Sequence, residues 1–301
     1  MTNDIGGIYP VLYSFFNEDG TLNRTNFQKQ IEHSLRAGVH GVAVLGLITE
    51  VGSLTPDERR TLIDWTTDAV AGEVPVAVTI AGRTVAEQRE LAQYAQNAGA
   101  SWMIFQPPLG VKPTSEELLE FYVEVMEGVE ITTGIQNAPE YIGCGLEPKH
   151  MIELARLRPN FKVMKGEGPV VTVKPYVDQL AGQVSVFNGR GGLELYDNLK
   201  AGCVGLVPAP DCADVQVQLY NAFVKGDFEQ AQDFYEELLP YAVFSMQSIH
   251  TAIYYGKHMY TRRIGLENAS TCRSDAIVFD PFFIEAGQTW LSRLGPYRVA
   301  P

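Results

Sequence analysis

FKVMKGEGP, residues 161–169, reads as a buried strand that carries a lysine near its carboxyl end. Phe161, Val163 and Met164 are strand formers, Gly166 and Gly168 break the run and Pro169 stops it. In parallel sheets the carboxyl ends of strands are where chemistry collects. An ammonium withdrawn from water must find a partner or lose its proton, and a lysine of lowered pKa is a nucleophile toward carbonyls. Taken alone, the stretch equally allows a solvated lysine, like Lys162, or an ion pair between Lys165 and Glu167.

Working outward, short apolar runs alternate with amphipathic segments to beyond residue 220, the pattern of a parallel sheet wound with helices. The predicted strands are 7–16, 41–46, 74–82, 101–108, 131–139, 161–168, 184–190 and 203–210. Eight is the barrel number, so the expected fold is α/β, a (β/α)8 TIM barrel over residues 1–225 with a C-terminal helical extension over 226–301. An open doubly wound sheet is the rival, but the glycine-rich phosphate turn it often carries is missing. Thr55-Pro56-Asp57-Glu58 and Thr114-Ser115-Glu116-Glu117 each read as a helix start, a cap followed by acids at the positive helix end. After the eighth strand, segments near 214–240, 243–264 and 278–294 read as helices without strands between them. The aromatic face of that extension fits core or a subunit interface.

Composition narrows the function. With 301 residues, a formal charge of −13 and a pI of about 4.9, the chain lacks the clustered cations of a nucleic-acid surface. The first ten residues hold no basic segment followed by an apolar one, and no run approaches the roughly 20 apolar residues of a membrane span. A cytoplasmic protein without nucleic-acid or membrane partners is expected. Cys144, Cys203, Cys212 and Cys272 form no C-x-x-C, no histidine pair reads H-x-x-x-H, and neither a G-x-G-x-x-G nor a P-loop sequence occurs. No metal and no dissociable cofactor is expected; chemistry would fall to side chains.

In a barrel the strand ends converge on one pocket. Strand two ends with Thr49 and Glu50, strand five with Gln136 and Asn137, strand six with Lys165 and Glu167, strand seven with Asn188 and Arg190, and strand eight near Asp211. An amine surrounded by amides and hydroxyls is what imine chemistry on a keto acid needs. Arg190, or backbone N–H groups following Gly46, could hold a substrate carboxylate. Each has an ordinary alternative: Glu50 as a helix-start acid, Asn137 as a turn residue, Arg190 as a loop cation paired with a neighbouring acid.

NEDGTLN (17–23), GVAVLGLITEVGSLTPDERRTLI (41–63), IQNAP (135–139) with Gly143 downstream, FKVMK (161–165) and FNGRGGLELYDNLKAGCVGLVPA (187–209), in this order, resemble the dihydrodipicolinate synthase and N-acetylneuraminate lyase family over about residues 5–225. The resemblance implies a class I aldolase barrel, a homotetramer, a small 2-keto acid substrate, and a covalent imine at Lys165 in place of a cofactor. By the same resemblance Lys165, Gln136, Thr49 and Glu50 occupy catalytic positions, and Gly46, Ile48, Asn137, Tyr141, Gly189 and Arg190 substrate-binding ones.

The departures carry the specificity. Where the family usually reads Gly-Thr/Ser-Thr-Gly-Glu, this chain has Gly46-Leu47-Ile48-Thr49-Glu50; where the tyrosine of Tyr-Asn-x-Pro is expected, it has Gln136. Tyr141 stands where the synthases commonly carry arginine, and Pro107-Pro108-Leu109 replaces Pro-Tyr-Tyr. Lysine-pathway condensation is therefore not expected. The pattern looks more like the 2-keto-3-deoxy sugar-acid dehydratases, L-2-keto-3-deoxyarabonate dehydratase among them. Alternatives on the same lysine are a retro-aldol lyase releasing pyruvate or a deaminase of a cyclic hydroxylated imine acid; outside catalysis stands a silent keto-acid-binding relative.

Overall fold

The computed structural model describes residues 5–266, 271–273 and 279–300. Eight parallel strands, β1 (Gly7–Ile8), β2 (Val42–Val44), β3 (Val76–Ile80), β4 (Trp102–Phe105), β5 (Thr132–Asn137), β6 (Phe161–Gly166), β7 (Ser185–Asn188) and β8 (Gly205–Leu206), pair in the order β1-β8-β7-β6-β5-β4-β3-β2. A parallel bridge between Val11 and Ala43, with Ala43 N donating to Pro10 O and Leu12 N to Ala43 O, joins the two ends. This is the (β/α)8 barrel expected. β1 and β8 are shorter than their apolar runs because Pro10 and Pro208, having no N–H, end the regular ladder.

Helices α1 (Arg24–Arg36), α2 (Pro56–Val70), α3 (Val85–Asn97), α4 (Ser115–Val125), a single turn α5 (Pro139–Ile142), α6 (Pro148–Leu157), α7 (Val170–Leu180), α8 (Leu195–Ala201) and α9 (Ala213–Val224) connect and follow the strands. Both predicted starts close as reciprocal capping boxes, Thr55 with Glu58 and Thr114 with Glu117. The segment expected as one helix over 214–240 is two, because Gly226, at φ +81°, turns the chain between α9 and α10 (Phe228–Ser245). The helix expected over 243–264 is divided likewise. α10 runs on to Ser245, and a π-helical turn, Thr251–Tyr255, leads into α11 (Gly256–Arg263). The last helix, α12, spans Pro281–Leu294, and residue 278 of the expected segment lies outside the described residues. Among the described residues no helix is long and apolar enough to cross a membrane.

The alternation of each strand divides the core. One set of side chains packs beneath the helices, and the other fills the barrel axis with Tyr9, Val11, Ala43, Ala77, Trp102, Ile104, Val163, Phe187 and Val207. Tyr9 meets Trp102 and Phe187 edge-on at 5.5 and 5.6 Å, while Trp102 and Phe187 stack at 5.7 Å. This plug makes the barrel axis solid among the described residues, which leaves the carboxyl-end mouth, where the polar strand ends lie, as the place to look for a site.

Candidate active site

Lys165 sits on the inward face of β6, in register with Gln136 on β5 and Phe187 on β7. Residues opposite one another in a ladder project to the same face, so the amine, the amide and the aromatic ring share one layer of the barrel. Lys162, three residues earlier, points to solvent. Strand periodicity alone separates the two lysines.

The Lys165 side chain is 7% exposed, and its Nζ lies 2.6 Å from Glu167 Oε1, whose side chain is 5% exposed. Three backbone features hold this pair. Glu167 N donates to Asn137 O (3.0 Å), Gly189 N donates to Gly166 O (2.9 Å), and Gly189 presents no side chain. A Cβ there would stand 2.7 Å from Lys165 Cε and 2.6 Å from Glu167 Cγ, inside van der Waals contact. Gly189 thus makes the space in which the amine and carboxylate meet.

The pocket above them is lined by Leu47 and Ile48 from the loop after β2, Tyr141, Lys165, Glu167, Gly189, Val207–Ala209 and Asp211. Its far wall comes from the C-terminal extension: Ser245, Met246, Ile249 and Ala252. Most of these side chains are apolar, and low polarity sharpens every charge interaction inside. Of the residues expected from sequence, Lys165, Ile48, Tyr141 and Gly189 meet in this pocket. Gln136 Oε1 accepts from Gln106 Nε2 (2.6 Å), while its own Nε2 is buried without a protein acceptor among the described residues.

The others serve the walls. Thr49 is fully buried and its hydroxyl donates to Leu12 O (2.8 Å). Glu50, at φ +58°, pairs with Lys257 of α11. Asn137 clamps the following loop, accepting from Leu146 N at 2.8 Å and donating to Leu146 O at 3.3 Å. Arg190 pairs with Glu194 and donates to the Tyr141 hydroxyl (3.4 Å) at the rim. Gly46 packs its bare Cα close against Val11 and opens the 3-10 turn Leu47–Thr49, whose end folds back through Thr49 N to Gly46 O. Asp211 is buried, accepting from the Tyr241 hydroxyl (2.8 Å) and the Cys212 thiol (3.7 Å); burial pushes its carboxyl up to about 6, and these two donors restrain the rise.

Sequence alone places Glu167 beside Lys165 at the end of strand six and offers it as an ion-pair partner, but it gives no sign of the wall from Ser245 to Ala252. The K-G-E spacing carried the first signal, since residues two apart on an extended strand end share a face. Among the described residues no group of three or more His, Cys, Asp or Glu stands at metal-holding distance.

A buried amine hydrogen-bonded to a carboxylate at the floor of an apolar pocket can exchange its proton, attack a carbonyl, and meet the resulting charge with a fixed counter-charge. Comparison with known proteins agrees in kind. The chain is 30% identical over 244 residues to 4-hydroxy-tetrahydrodipicolinate synthase of Methanopyrus kandleri, covering 80% of this chain and 81% of that one. It is 28% identical over 238 residues to the Escherichia coli K12 protein provisionally named 2-dehydro-3-deoxy-D-gluconate aldolase YagE, covering 77% and 79%. The crystal structure of YagE in complex with pyruvate superposes with a TM-score of 0.89, 24% identity, and coverage of 96% and 98%. The family model for the dihydrodipicolinate synthetase family matches residues 4–277, and this chain belongs to that family.

Proposed function

We propose that this protein is a Schiff-base-forming lyase of 2-keto acids, and that its reaction is the dehydration of a 2-keto-3-deoxy sugar acid, of which L-2-keto-3-deoxyarabonate is the model substrate. The observation that carries the reading is Lys165, an amine buried on the barrel axis and opening into a pocket beside a carboxylate. The lysine attacks C2 of the keto acid and water leaves, giving an iminium. Loss of a C3 proton gives the enamine, whose electrons expel the C4 hydroxyl. Loss of a C5 proton from the conjugated iminium and return of a proton at C3 leave a C4–C5 enol, which ketonises to the aldehyde, and hydrolysis of the imine by water frees the lysine and the 2-ketoglutarate semialdehyde. The substrate carboxylate is assigned to the loop after Gly46, where Leu47 and Ile48 face the pocket. Hydroxyl groups farther along the substrate are assigned to Tyr141, Asp211, Ser245 and the Gln136 amide.

Dehydration is favoured over condensation by what the site lacks. Tyr141 and Leu109 stand where the synthases would carry an arginine and a tyrosine, so a second carboxylate has no fixed cation at that position. Retro-aldol cleavage is the second reading, supported by the name of the E. coli relative; it uses the same lysine and enamine but breaks C3–C4.

Borohydride reduction during turnover of a panel of 2-keto-3-deoxy pentonates and hexonates tests both levels. Reduction should add mass to the peptide containing Lys165, with the 2-ketoglutarate semialdehyde formed from the pentonate and no pyruvate. Label at Lys162 or Lys174, or no label with a substrate being consumed, would overturn the imine. Pyruvate as product would select the retro-aldol reading.

A further inference from the structure

We infer that Met246 sets the length of acid the pocket accepts, favouring a five-carbon 2-keto-3-deoxy acid over a six-carbon one. The inference deepens the reading above and rests on it, since it concerns the far end of a substrate held as an imine at Lys165. It begins from a contact between the C-terminal extension and the loop after β7. Gly191, at φ +63°, offers a bare Cα on which the Met246 side chain packs; a Cβ there would stand 2.5 Å from both Met246 Cγ and Sδ. Both residues line the pocket, so the thioether joins the wall from the extension to the side formed by strand seven. Gln216, fully buried, donates from Nε2 to Gly191 O at 3.1 Å and fixes that side.

The backbone that carries Met246 is anchored on both sides. α10 ends with Met246 N donating to Ala242 O at 3.0 Å, and the chain turns helical again after Ser248, whose Oγ accepts from Thr251 N (3.0 Å) and whose O accepts from Ala252 N (3.0 Å). Beyond it the buried Tyr13 donates its hydroxyl to Ala252 O at 3.0 Å, tying the π-helical turn to the loop after β1. Adjustment of this wall therefore falls to its side chains.

Little free space remains in the pocket. It amounts to about 40 Å³, and one water takes roughly 10–15 Å³ of such space, so about three waters fill it. A sugar acid carries more atoms than that beyond its keto carbon, and a side chain must turn aside to seat it. Lys165 is held by Glu167, Tyr141 by Arg190 and Asp211 by Tyr241, while Ile249 is β-branched and stiff. Met246, partly buried, is unbranched, and its flexible thioether gives way at least cost. Turning it off Gly191 makes room for a fifth carbon. A sixth carbon and its hydroxyl then meet the thioether and the side chains of Ile249 and Ala252, which offer that hydroxyl no hydrogen bond.

The test is a competition. Wild type, Met246→Leu and Met246→Ala each receive an equimolar mixture of L-2-keto-3-deoxyarabonate and the 2-keto-3-deoxyhexonate of the same C4 configuration, and consumption of each acid is followed by NMR. The ratio of the two rates is the ratio of kcat/KM, whatever fraction of a variant is folded and whether the product is the semialdehyde or pyruvate. Wild type should favour the pentonate by about 10- to 100-fold, the discrimination an apolar wall gives against one added group. Leucine, of similar volume, should keep that ratio within about threefold, and alanine should lower it by about tenfold or more. If the alanine variant does not fold, Met246→Val is held to the same criterion. A wild-type ratio near one, or a ratio that truncation leaves unchanged, would overturn the assignment while leaving the imine intact. Borohydride trapping of pyruvate on wild type separates the other failures: no label at Lys165 would overturn the imine reading and the length limit together, and label with neither acid consumed would overturn the sugar-acid reading and the length limit with it.

Discussion

Lys257 of α11 closes on Glu50, the residue that ends the 3-10 turn after β2, in a site where their side chains are 0% and 3% exposed. The Lys257 ammonium also reaches Thr271 O at 3.3 Å and lies over the Phe16 ring at 5.2 Å. The pair therefore pins the loop that presents Leu47 and Ile48 to the C-terminal extension that supplies the opposite wall. Removing one partner of a buried pair strands the other charge. Lys257→Met should cost about 3–5 kcal/mol in urea-induced unfolding, and Lys257→Met combined with Glu50→Gln should cost clearly less. Equal losses in the single and double variants would show that the charges are not coupled.

Asp211 gives a pH signature of the opposite sign to the familiar salt-bridged carboxylate. Its ordinary value is 3.8 and burial raises it to about 6, so the folded protein keeps a proton that the unfolded chain has lost. Stability should therefore decline as pH rises between those two values and be level in this respect above them. The difference corresponds to roughly 3 kcal/mol. Asp211→Asn, which can still accept from Tyr241, should flatten this slope; unfolding free energies measured at intervals from pH 4 to 7 compare the two proteins. A slope in the variant equal to that of wild type would remove Asp211 as its source.

Glu58 behaves conventionally. Arg273 grips both its oxygens at 2.6 and 2.7 Å and also donates to Gly20 O and Ser53 O, holding the carboxyl at about 2 despite partial burial, with Thr55 assisting. Its contribution is present above pH 4.5 and is lost as pH falls toward 2. Because both side chains are about a quarter exposed, Arg273→Ala should cost only about 1 kcal/mol at pH 7 in urea unfolding, and less as pH falls through that range. A cost that does not change with pH would assign the effect to packing of Arg273 on Phe16.

What could be read in advance was local. The alternation of apolar runs and capped helices is written within windows of a few residues, so the barrel followed from periodicity, whereas the role of Lys165 needed the joint placement of the polar strand ends and the family resemblance. Long-range partnerships were not legible in the same way. Glu50 and Lys257 are 207 positions apart, and nothing near either residue indicates that a strand-end acid would be neutralised by a terminal helix. Asn137 and Thr49 look alike in sequence whether they face a ligand or a backbone carbonyl, and only the curvature of the loops decides. The break at Gly226 was missed because the apolar spacing continues on both sides of it, while one left-handed residue turned the chain.

Gly189 separates fold from function. A methyl group there meets the ends of two flexible side chains, Lys165 and Glu167, rather than rigid backbone. Gly189→Ala should thus lower stability by only about 1–3 kcal/mol while displacing the amine from the carboxylate. Turnover and borohydride trapping should both fall by about 100-fold or more. A variant with normal trapping would mean that the pair has room the geometry does not show.

Gln136 tests the substrate class. Its Oε1 is held by Gln106, and its Nε2, on the residue in register with Lys165, is buried without a protein acceptor among the described residues, so the amide can donate to a substrate oxygen without first losing a protein partner. A site that hydrogen-bonds a hydroxyl discriminates against analogues lacking it. Gln136→Ala should reduce turnover of 2-keto-3-deoxy pentonate by about 10- to 100-fold, leaving trapping of pyruvate at Lys165 within a few-fold of wild type. Gln136→Tyr should not create condensation of pyruvate with aspartate semialdehyde, because Tyr141 and Leu109 supply neither the cation nor the second phenol that a synthase site would bring. Steady-state assays of both reactions on the same preparations decide the matter: efficient condensation by wild type with no turnover of any sugar acid would overturn the dehydratase assignment while leaving the lysine chemistry intact.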